Sequence, residues 1–385
     1  MSFDPTAYLP DALLERIRER APIHDRENTF PQQDLEELRE AGYLKILVPS
    51  ERGGAGLGLE QAAILQQRLA TASPATALSI NMHLVWTGVA KVFSDRGVPG
   101  LEFVQDGAAN GDVFAFGISE GGNDLVLFDS DTQAVPDGNG GYAFTGTKIF
   151  TSLAPVWTTL GLHGLDTTSE DAPKLVFAFI DRTDAVTTKD DWDTLGMRAT
   201  QSRTTKLDSA IAAPEHVVRR IDPGPNPDPI IFGIFSTFEL LLASVYTGIA
   251  RRALDLATLT VQKRTSKKTG QPYSQDPDIR WRIAEMSLSY DALPPQIAAL
   301  ARDVDEQNDH GARWFTLLSG TKHRAVMMAK RVVDEAILAA GGSSYFSSNE
   351  LSRLYRDVLA GVFHPSDAES AHSTAASALL GPLES

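Results

Sequence analysis

The chain has 385 residues, of which 42% are hydrophobic, 22% charged and 8% aromatic, which is an ordinary globular composition. A formal net charge of −15 repels phosphate backbones, so this composition argues against nucleic-acid binding, although one anionic ligand in a local basic pocket is not excluded. The absence of cysteine excludes disulfides, thiolate metal sites and thiol nucleophiles.

Two segments bear on where the protein works. The first twenty residues are charged and have no apolar core, so they do not predict a secretory signal. Residues 229–250 carry a single charge, Glu239, over a length that would cross a membrane. Their Ser, Thr, Gly and Pro residues and the central carboxylate favour a helix buried inside protein. We therefore expect a cytoplasmic protein without a membrane span.

The character of the predicted elements changes twice along the chain. Residues 1–112 have helical patterns, such as the run that Pro31 opens and Gly42 ends. Residues 113–222 hold runs rich in β-branched and aromatic residues, separated by turn clusters such as PDGNGGY. These runs predict strands, and their spacing does not distinguish a barrel from a sandwich. A linker with four prolines crosses 221–230, and helical periodicity then continues to residue 385.

These patterns predict an α+β multidomain protein. The predicted domains are an N-terminal helical domain over 1–112, a middle β domain over 113–222 and a C-terminal bundle of four long helices over 223–385. No metal-ligand spacing occurs in the sequence. We therefore expect no metal site.

Four short motifs follow one another along nearly the whole chain. They are Phe30-Pro31 through Gly42 with Val48-Pro49 and Gly53-Gly54; Phe116–Glu120 with Asp124; Gly146–Ser152; and Leu195–Thr200 with Pro214. Each motif alone is weak, but their order and spacing resemble the acyl-CoA dehydrogenase superfamily. The resemblance implies a helical N-terminal domain, a β-barrel-like middle domain, a C-terminal four-helix bundle and bound FAD.

The resemblance also implies which residues line the flavin. Phe116, Ile118, Ser119, Phe150 and Ser152 would do so. An aromatic ring covers the flat isoalloxazine, and short hydroxyl and backbone groups meet its N5 and pyrimidine edge. The segment centred on Ser119 and Ser152 is thus expected to cup the ring against the helical bundle. Without the order of the motifs, ordinary strand and turn residues would be the simpler interpretation.

Three further residues imply a site shared between subunits. The resemblance assigns Arg264 to the pyrophosphate of FAD on a neighbouring subunit, which suits its forked donors. Gly341 and Gly342 fall at a glycine pair that meets the partner's FAD, although Leu338 and the residues after Gly342 depart from the family motif. A solvated charged loop is the alternative for Arg264. Sharing would make the protein a homodimer or a homotetramer.

The glutamate that most of the family uses as catalytic base is missing. That base takes the proton α to a thioester while hydride leaves the β carbon for flavin N5. It follows an Arg-Asp pair, and Pro365 occupies its position here. Glu239 is a candidate replacement, because burial raises the pKa of a carboxylate, and a structural carboxylate paired with an arginine is its alternative. His364 is the second candidate, with a structurally satisfied histidine as its alternative.

The turn expected to hold the substrate is two residues shorter than in the family. Asn123 stands where a serine contacts CoA, or that contact is lost, and Asp124 follows it. We take both residues as candidate substrate ligands. The change weakens the case for a CoA thioester as substrate.

Three functions follow. The first is an acyl-CoA dehydrogenase that uses Glu239, acts on an acyl-CoA or related small molecule and passes electrons to an electron-transfer flavoprotein. The second is a monooxygenase of the same fold that receives reduced flavin from a separate reductase, oxidises an aromatic or sulfur-containing substrate and uses His364. The third is a non-catalytic flavoprotein or scaffold, because a fold does not determine a reaction.

Overall fold

The computed structural model describes residues 3–169, 172–381 and 383. The chain begins with helices, whose ends are set by proline and glycine as predicted: α2 follows Pro31, and Gly42 lies just beyond its end with φ of 74°. The longest of them is almost wholly buried and packs against both other parts of the chain. These helices are α1 (Asp11–Glu27), α2 (Gln32–Glu40), α3 (Leu59–Ala70), α4 (Pro74–Asp95) and α5 (Glu102–Asn110).

The described strands form one mixed sheet in the order β6-β7-β3-β2-β4-β5-β8, with β1 pairing parallel to β4. Strands β4 and β5 are buried on both faces along most of their length, which explains why β5 has a continuous apolar run from Leu175 to Ile180. The strands are β1 (Phe114–Gly117), β2 (Gln133–Pro136), β3 (Tyr142–Thr151), β4 (Thr159–Asp166), β5 (Lys174–Asp181), β6 (Val186–Thr188), β7 (Arg203–Ala212) and β8 (Val217–Ile221).

The C-terminal helices pack around α6. By length and composition α6 could cross a membrane, but 83% of its most apolar 18-residue window is buried inside the protein, as expected for a core helix. It packs mainly against α9, α4 and α3. The helices are α6 (Pro229–Lys263), α7 (Pro277–Asp291), α8 (Leu293–Asp305), α9 (Arg313–Ala340), α10 (Glu350–Val358) and α11 (Ala368–Leu380).

The predicted fold class is confirmed: helices, then a mixed sheet, then a helical bundle. One loop, residues 195–202, joins the sheet to the bundle. The N–H of Leu153, just beyond β3, donates to the carbonyl of Thr200 at 3.3 Å. The N–H of Met197 donates to the carboxylate of Asp357 on α10 at 2.6 Å. The end of β3 is thereby fixed relative to the helix that precedes His364.

Candidate functional site

The end of β3 presents an exposed aromatic ring. Phe150 has φ of 57°, a left-handed conformation that is unfavourable for a bulky residue and often marks a functional site. The register of β3 with β7 shifts between Lys148 and Thr151, which turns the chain at this point. The ring is 57% exposed and meets Trp192 edge-on at 6.1 Å between centroids. A flat apolar surface is thus held facing solvent.

A chain of hydroxyl groups runs inward from Ser152. Its Oγ lies 2.7 Å from the Oγ of Ser202, which lies 2.7 Å from the Oγ1 of Thr200. Thr200 in turn donates to the carbonyl of Met197 at 2.8 Å. Because each hydroxyl has one proton, Ser202 then donates to Thr200 and Ser152 donates to Ser202. The lone pairs of Ser152 remain free to accept a hydrogen bond.

Ser119 lies beside the same end of β3. Its carbonyl accepts a hydrogen bond from the N–H of Ile149 at 2.9 Å, and its hydroxyl has no partner in the described chain. Phe116 lies elsewhere: its ring stacks on Phe238 of α6 with centroids 5.5 Å apart. Ile118 is 1% exposed. The structure thus brings Ser119, Phe150 and Ser152 to one end of the sheet, while Phe116 packs in the core.

Asn123 and Asp124 differ in their surroundings. The Asn123 amide donates to the carboxylate of Glu120 at 2.9 Å and to the carbonyl of Asp129 at 3.1 Å. Its Oδ1 accepts from the N–H of Leu125 at 3.0 Å. Asp124 is exposed and makes no hydrogen bond to the described residues. Asn123 therefore stabilises its own loop, and Asp124 is the freer of the two predicted substrate ligands.

A buried ion pair underlies this loop. The Nζ of Lys148 donates to Glu120 at 2.7 Å and lies 3.2 Å from the Nδ1 of His163. Burial alone would raise the pKa of Glu120, but Lys148 and several donors hold that pKa well below its usual range. Burial lowers the pKa of Lys148 to about 8 and, together with Lys148, that of His163 to about 3. The sequence motifs contain Glu120 and Lys148, but no local pattern in the sequence predicts that His163 lies beside them.

Glu239 lies inside the bundle. It is 1% exposed, and its Oε1 accepts hydrogen bonds from the N–H of Ser366 at 2.9 Å and from its Oγ at 2.8 Å. Its Oε2 has no partner in the described chain. Burial raises its pKa, although Lys322 and Ser366 oppose this shift. The carboxylate is buried, as the helical pattern predicts, and its cationic neighbour is Lys322 rather than an arginine.

Lys322 forms hydrogen bonds to the backbone of the segment that contains His364. Its Nζ donates to the carbonyls of Gly361 at 3.0 Å and Ser366 at 2.9 Å, and also to that of His364. Burial lowers the pKa of this lysine to about 8. Lys322 was not predicted from the sequence, although its position four residues before Val326 places it on the apolar stripe of α9.

His364 is half-buried at the edge of the bundle, with its Nδ1 at 3.3 Å from the hydroxyl of Tyr246. Burial, and then the charge of Lys322, lowers its pKa to about 3, so the ring is neutral near pH 7. We assign the ring proton to Nε2, because the phenol can donate to an unprotonated Nδ1. The Nε2 atom has no hydrogen-bond partner in the described chain.

Arg264 and the glycine pair lie together. The Nη1 of Arg264 donates to the carbonyl of Ala340, at the end of α9, and its guanidinium lies 4.8 Å from the centre of the Tyr273 ring. Gly341 has φ of 79°, a left-handed conformation that favours glycine, and a Cβ there would lie 2.9 Å from Nη1 of Arg264, whose side chain would have to shift. Gly342 is exposed.

Two of the cavities in the described chain each have about 10 Å³ of space for water-sized molecules, and neither is lined by Ser119, Phe150 or Ser152. Ligand pockets usually measure roughly 300–1,000 Å³. Neither cavity is therefore the expected cup for the isoalloxazine ring. The exposed face of Phe150 shows instead that a single chain leaves this end of the sheet open to solvent.

Comparison with protein-family models matches both helical parts of the chain. The model for the acyl-CoA dehydrogenase N-terminal domain matches residues 10–94, and the model for the acyl-CoA dehydrogenase C-terminal domain matches residues 240–366. The chain belongs to the acyl-CoA dehydrogenase superfamily. The superfamily that the four sequence motifs predicted is thereby confirmed.

The relatives of this chain are named for several different activities. L-evernosamine nitrososynthase of a Micromonospora strain is 27% identical over 359 residues, covering 91% of this chain and 84% of that protein. Putative acyl-CoA dehydrogenase YdbM of Bacillus subtilis is 26% identical over 370 residues, covering 92% and 91%. Dibenzothiophene monooxygenase of Rhodococcus erythropolis is 26% identical over 383 residues, covering 94% and 89%.

A solved structure extends this likeness to three dimensions. KijD3 in complex with FMN and dTDP-3-amino-2,3,6-trideoxy-4-keto-3-methyl-D-glucose is 26% identical to this superfamily member. The two superpose with a TM-score of 0.85, covering 97% of this chain and 92% of that chain. The superfamily fold therefore extends over nearly the whole protein.

Proposed function

We propose that this protein is a flavin-dependent monooxygenase that receives reduced flavin from a separate reductase in the cytoplasm. It oxygenates a nitrogen or sulfur atom of a small organic substrate. One observation carries the proposal: Pro365 stands at the base position of the family, and Glu239 is 1% exposed and bonded to Ser366. Dehydrogenation needs a base within reach of the α proton, whereas oxygenation of a heteroatom does not.

The names of relatives support this reaction class. A nitrososynthase and a dibenzothiophene monooxygenase, 27% and 26% identical to this chain, are both named for placing oxygen on a substrate. The name nitrososynthase indicates a reaction at nitrogen, and dibenzothiophene, in the other name, is a sulfur heterocycle. The shared chemistry is oxidation of an electron-rich heteroatom, which fits the missing base.

The end of β3 fits a flavin. Phe150 offers an exposed aromatic ring, and the hydroxyls of Ser119 and Ser152 retain free hydrogen-bonding capacity. A bound reduced flavin supplies the electrons that activate oxygen. Ser152, whose proton is committed to Ser202, accepts a hydrogen bond there, and the neutral His364 donates one from Nε2 without adding charge.

We further propose a homo-oligomer, a dimer or a tetramer, in which the open face at Phe150 is covered by a neighbouring subunit. Large apolar side chains are exposed on and between the C-terminal helices, and exposed apolar surface of this kind can mark an interaction site. In this arrangement Arg264 and Gly341–Gly342 contact the flavin bound to the neighbouring subunit. If Arg264 binds a pyrophosphate, the cofactor is FAD. If it does not, the cofactor is FMN. The exposed residues include Trp281, Leu288, Leu338, Tyr345, Phe346 and Phe363.

Dehydrogenation of an acyl thioester, with an electron-transfer flavoprotein as acceptor, is the second candidate. The Oε2 of Glu239 has no partner in the described chain, and burial raises the pKa of this carboxyl, as a buried base requires. The putative acyl-CoA dehydrogenase YdbM, 26% identical, also favours this candidate. Because Glu239 is 1% exposed, the residues around it would have to move before a substrate could reach the carboxylate.

Two assays on the purified protein separate the candidates. In air, with a flavin reductase, NADH and either FMN or FAD, we expect oxidation of dibenzothiophene or of an amino sugar only when reduced flavin is supplied. Anaerobically, with bound oxidised flavin, we expect no bleaching by a panel of acyl-CoAs. If acyl-CoAs bleach the flavin in the anaerobic assay and no oxygenated product forms in the aerobic assay, the result contradicts the proposal and favours dehydrogenation. A protein inactive in both assays that binds no flavin would be a scaffold.

Two variants assign the residues. His364→Ala should lower the rate of substrate oxygenation about 100-fold, in the range of a lost catalytic hydrogen bond, and His372→Ala on the exposed helix α11 is the matched control. Glu239→Gln keeps an acceptor for Ser366, so it should leave oxygenation within about threefold of wild type. A Glu239→Gln variant that loses all activity while retaining flavin would assign the base role to Glu239.

A further inference from the structure

The phenol of Tyr246 lies beside the His364 ring and takes no part in the reaction proposed above. Tyr246 is 0% exposed, and its hydroxyl lies 3.3 Å from Nδ1 of His364. The two ring centroids are 5.8 Å apart, with an angle of 63° between the ring planes. This hydroxyl has no second hydrogen-bond partner in the described part of the chain. The phenol therefore depends on the imidazole for its hydrogen bond.

The phenol has to be the donor in this bond. Burial, and then the charge of Asp357, raises the pKa of Tyr246 far above its ordinary range, so the O–H keeps its proton. A buried O–H without an acceptor carries a desolvation cost, and Nδ1 of His364 is the one acceptor that the described residues offer it. A ring with its proton on Nδ1 would leave that O–H unpaired. The neutral imidazole therefore carries its proton on Nε2.

The packing of α6 and α9 against the segment between α10 and α11 holds the two rings in place. A Cβ on Gly361 would lie 2.8 Å from Cε1 and Cζ of Tyr246, so a glycine there lets this segment reach the phenol ring. Glu239, seven residues before Tyr246 on the same face of α6, accepts two hydrogen bonds from the segment. Lys322 of α9 donates to the carbonyl of His364 itself. The imidazole is thus fixed both through its backbone and through Nδ1.

The charged groups around the ring do not compete with the phenol. Burial, and then the positive charge of Lys322 on α9, lowers the pKa of His364 to about 3. Glu239 of α6 and Asp367 at the start of α11 interact with Lys322, and Asp357 of α10 interacts with the phenol. A protonated ring would lose its bond from the phenol and would gain no carboxylate partner among the described residues. The ring therefore stays neutral and keeps its orientation.

We propose that Tyr246 is a positioning residue, which presents His364 to the reaction site as an N–H donor at Nε2 and prevents the imidazole from acting as a base. The lone pair that a base requires is on Nδ1, where the phenol occupies it. The Nε2–H group stabilises an oxygen atom that gains negative charge during oxygenation, without giving up its proton. This catalytic consequence rests on the proposed monooxygenase activity, whereas the position of the ring proton does not.

NMR locates the ring proton without any assay of activity. In the full-length protein labelled with ¹⁵N-histidine, two-bond proton–nitrogen correlations distinguish the two neutral tautomers, and the spectrum of His364→Ala assigns the signals of His364. We expect the Nε2–H form in wild type at neutral pH, with Nδ1 as a hydrogen-bond acceptor. Tyr246→Phe keeps the ring but removes the donor. The Nδ1 signal should then move toward that of a free imidazole nitrogen, and the protonation midpoint of His364 should rise by about one pH unit.

Tyr43→Phe is the matched control for this experiment. Tyr43 is also 0% exposed, and its hydroxyl donates to Gln66 at 2.8 Å among the N-terminal helices. Its loss should leave the signals of His364 unchanged. An Nδ1–H ring in wild type, or an unchanged His364 signal in Tyr246→Phe, would overturn the proposal. The wild-type spectrum makes this test even if Tyr246→Phe does not fold.

A double-mutant cycle tests whether Tyr246 acts through His364. In the assay with flavin reductase, Tyr246→Phe should lower kcat about tenfold and leave KM within about twofold, which is part of the loss expected for His364→Ala. In the His364→Ala background the same change should have no further effect on kcat. A second tenfold loss there would give Tyr246 a role independent of His364 and overturn the proposal. A wild type that oxygenates no substrate would instead refute the proposed function, and the NMR result would then decide the orientation of the ring by itself.

Discussion

At the scale of single residues, several ionisable side chains of this protein are almost wholly buried. Lys148, Lys322, Glu239 and Asp357 are each at most 2% exposed. Burial disfavours the charged form of every one, and it shifts the pKa of the lysines downward and that of the carboxyl groups upward. Their titration is therefore coupled to folding.

Asp357 should make stability fall as the pH rises from about 4 to 6. Burial raises its folded pKa to about 6 from the ordinary aspartate value of 3.8, so in this window the unfolded chain has released a proton that the folded chain retains. At 1.36 kcal/mol per unit, the loss amounts to about 3 kcal/mol. Asp357→Asn should lack this decline in urea unfolding, measured at several pH values in phosphate-free buffer.

The same change at the exposed Asp124 is the control, and it should reproduce the wild-type pH dependence. A decline of wild-type size in Asp357→Asn would show that other carboxyl groups carry the effect.

At the scale of elements, the segment between α10 and α11 is held from beneath by the bundle. Lys322 of α9 donates to three of its carbonyls, and Glu239 of α6 accepts from Ser366. Two core helices thus determine where His364 lies. In the monooxygenase proposed above, Glu239 would help to hold this segment in place instead of acting as a base.

Lys322→Met should release this segment. It removes three donated hydrogen bonds, and loss of at least about 1.4 kcal/mol of local stability would accelerate amide exchange about tenfold. Hydrogen-exchange mass spectrometry of peptides covering 361–366 measures this directly. Lys330→Met, on the same helix, is the matched control and should exchange like wild type there. Unchanged exchange in Lys322→Met would mean that the segment is held by other contacts.

At the scale of the whole molecule, the exposed apolar side chains and the open end of the sheet point to association. Trp281 and Leu288 are 73% and 71% exposed and lie seven residues apart, on one face of α7. Burying such a face against another copy would remove it from water and is strongly favourable. A neighbouring subunit would also shield Phe150.

Trp281→Glu combined with Leu288→Glu should break the association, because charges at the centre of an apolar interface are desolvated without partners. Sedimentation velocity should then show a smaller species than wild type. The control is Leu125→Glu with Val135→Glu, two exposed apolar residues of the β domain. If wild type is a monomer, or the α7 variant keeps the wild-type size, the proposed interface is wrong.

The order of helices, strands and helices could be predicted from the sequence because it depends on local patterns. Side-chain periodicity, Pro31 and Gly42 at helix ends, and the glycine-rich turns act within a few residues of chain. The sequence also shows Pro365 at the position where most of the family has its catalytic glutamate. Ser119, Phe150 and Ser152 could be grouped only through the resemblance to a family.

The contacts of the site were decided by the tertiary structure alone. Lys322 meets carbonyls about forty residues away, Ser152 meets Ser202, and Asp357 approaches the first turn of α4 around one cavity. Each of these depends on how elements distant in sequence pack, which sets burial, and burial sets the charge that each group carries. Periodicity indicates which face of a helix is buried, but it does not indicate which polar group lies opposite.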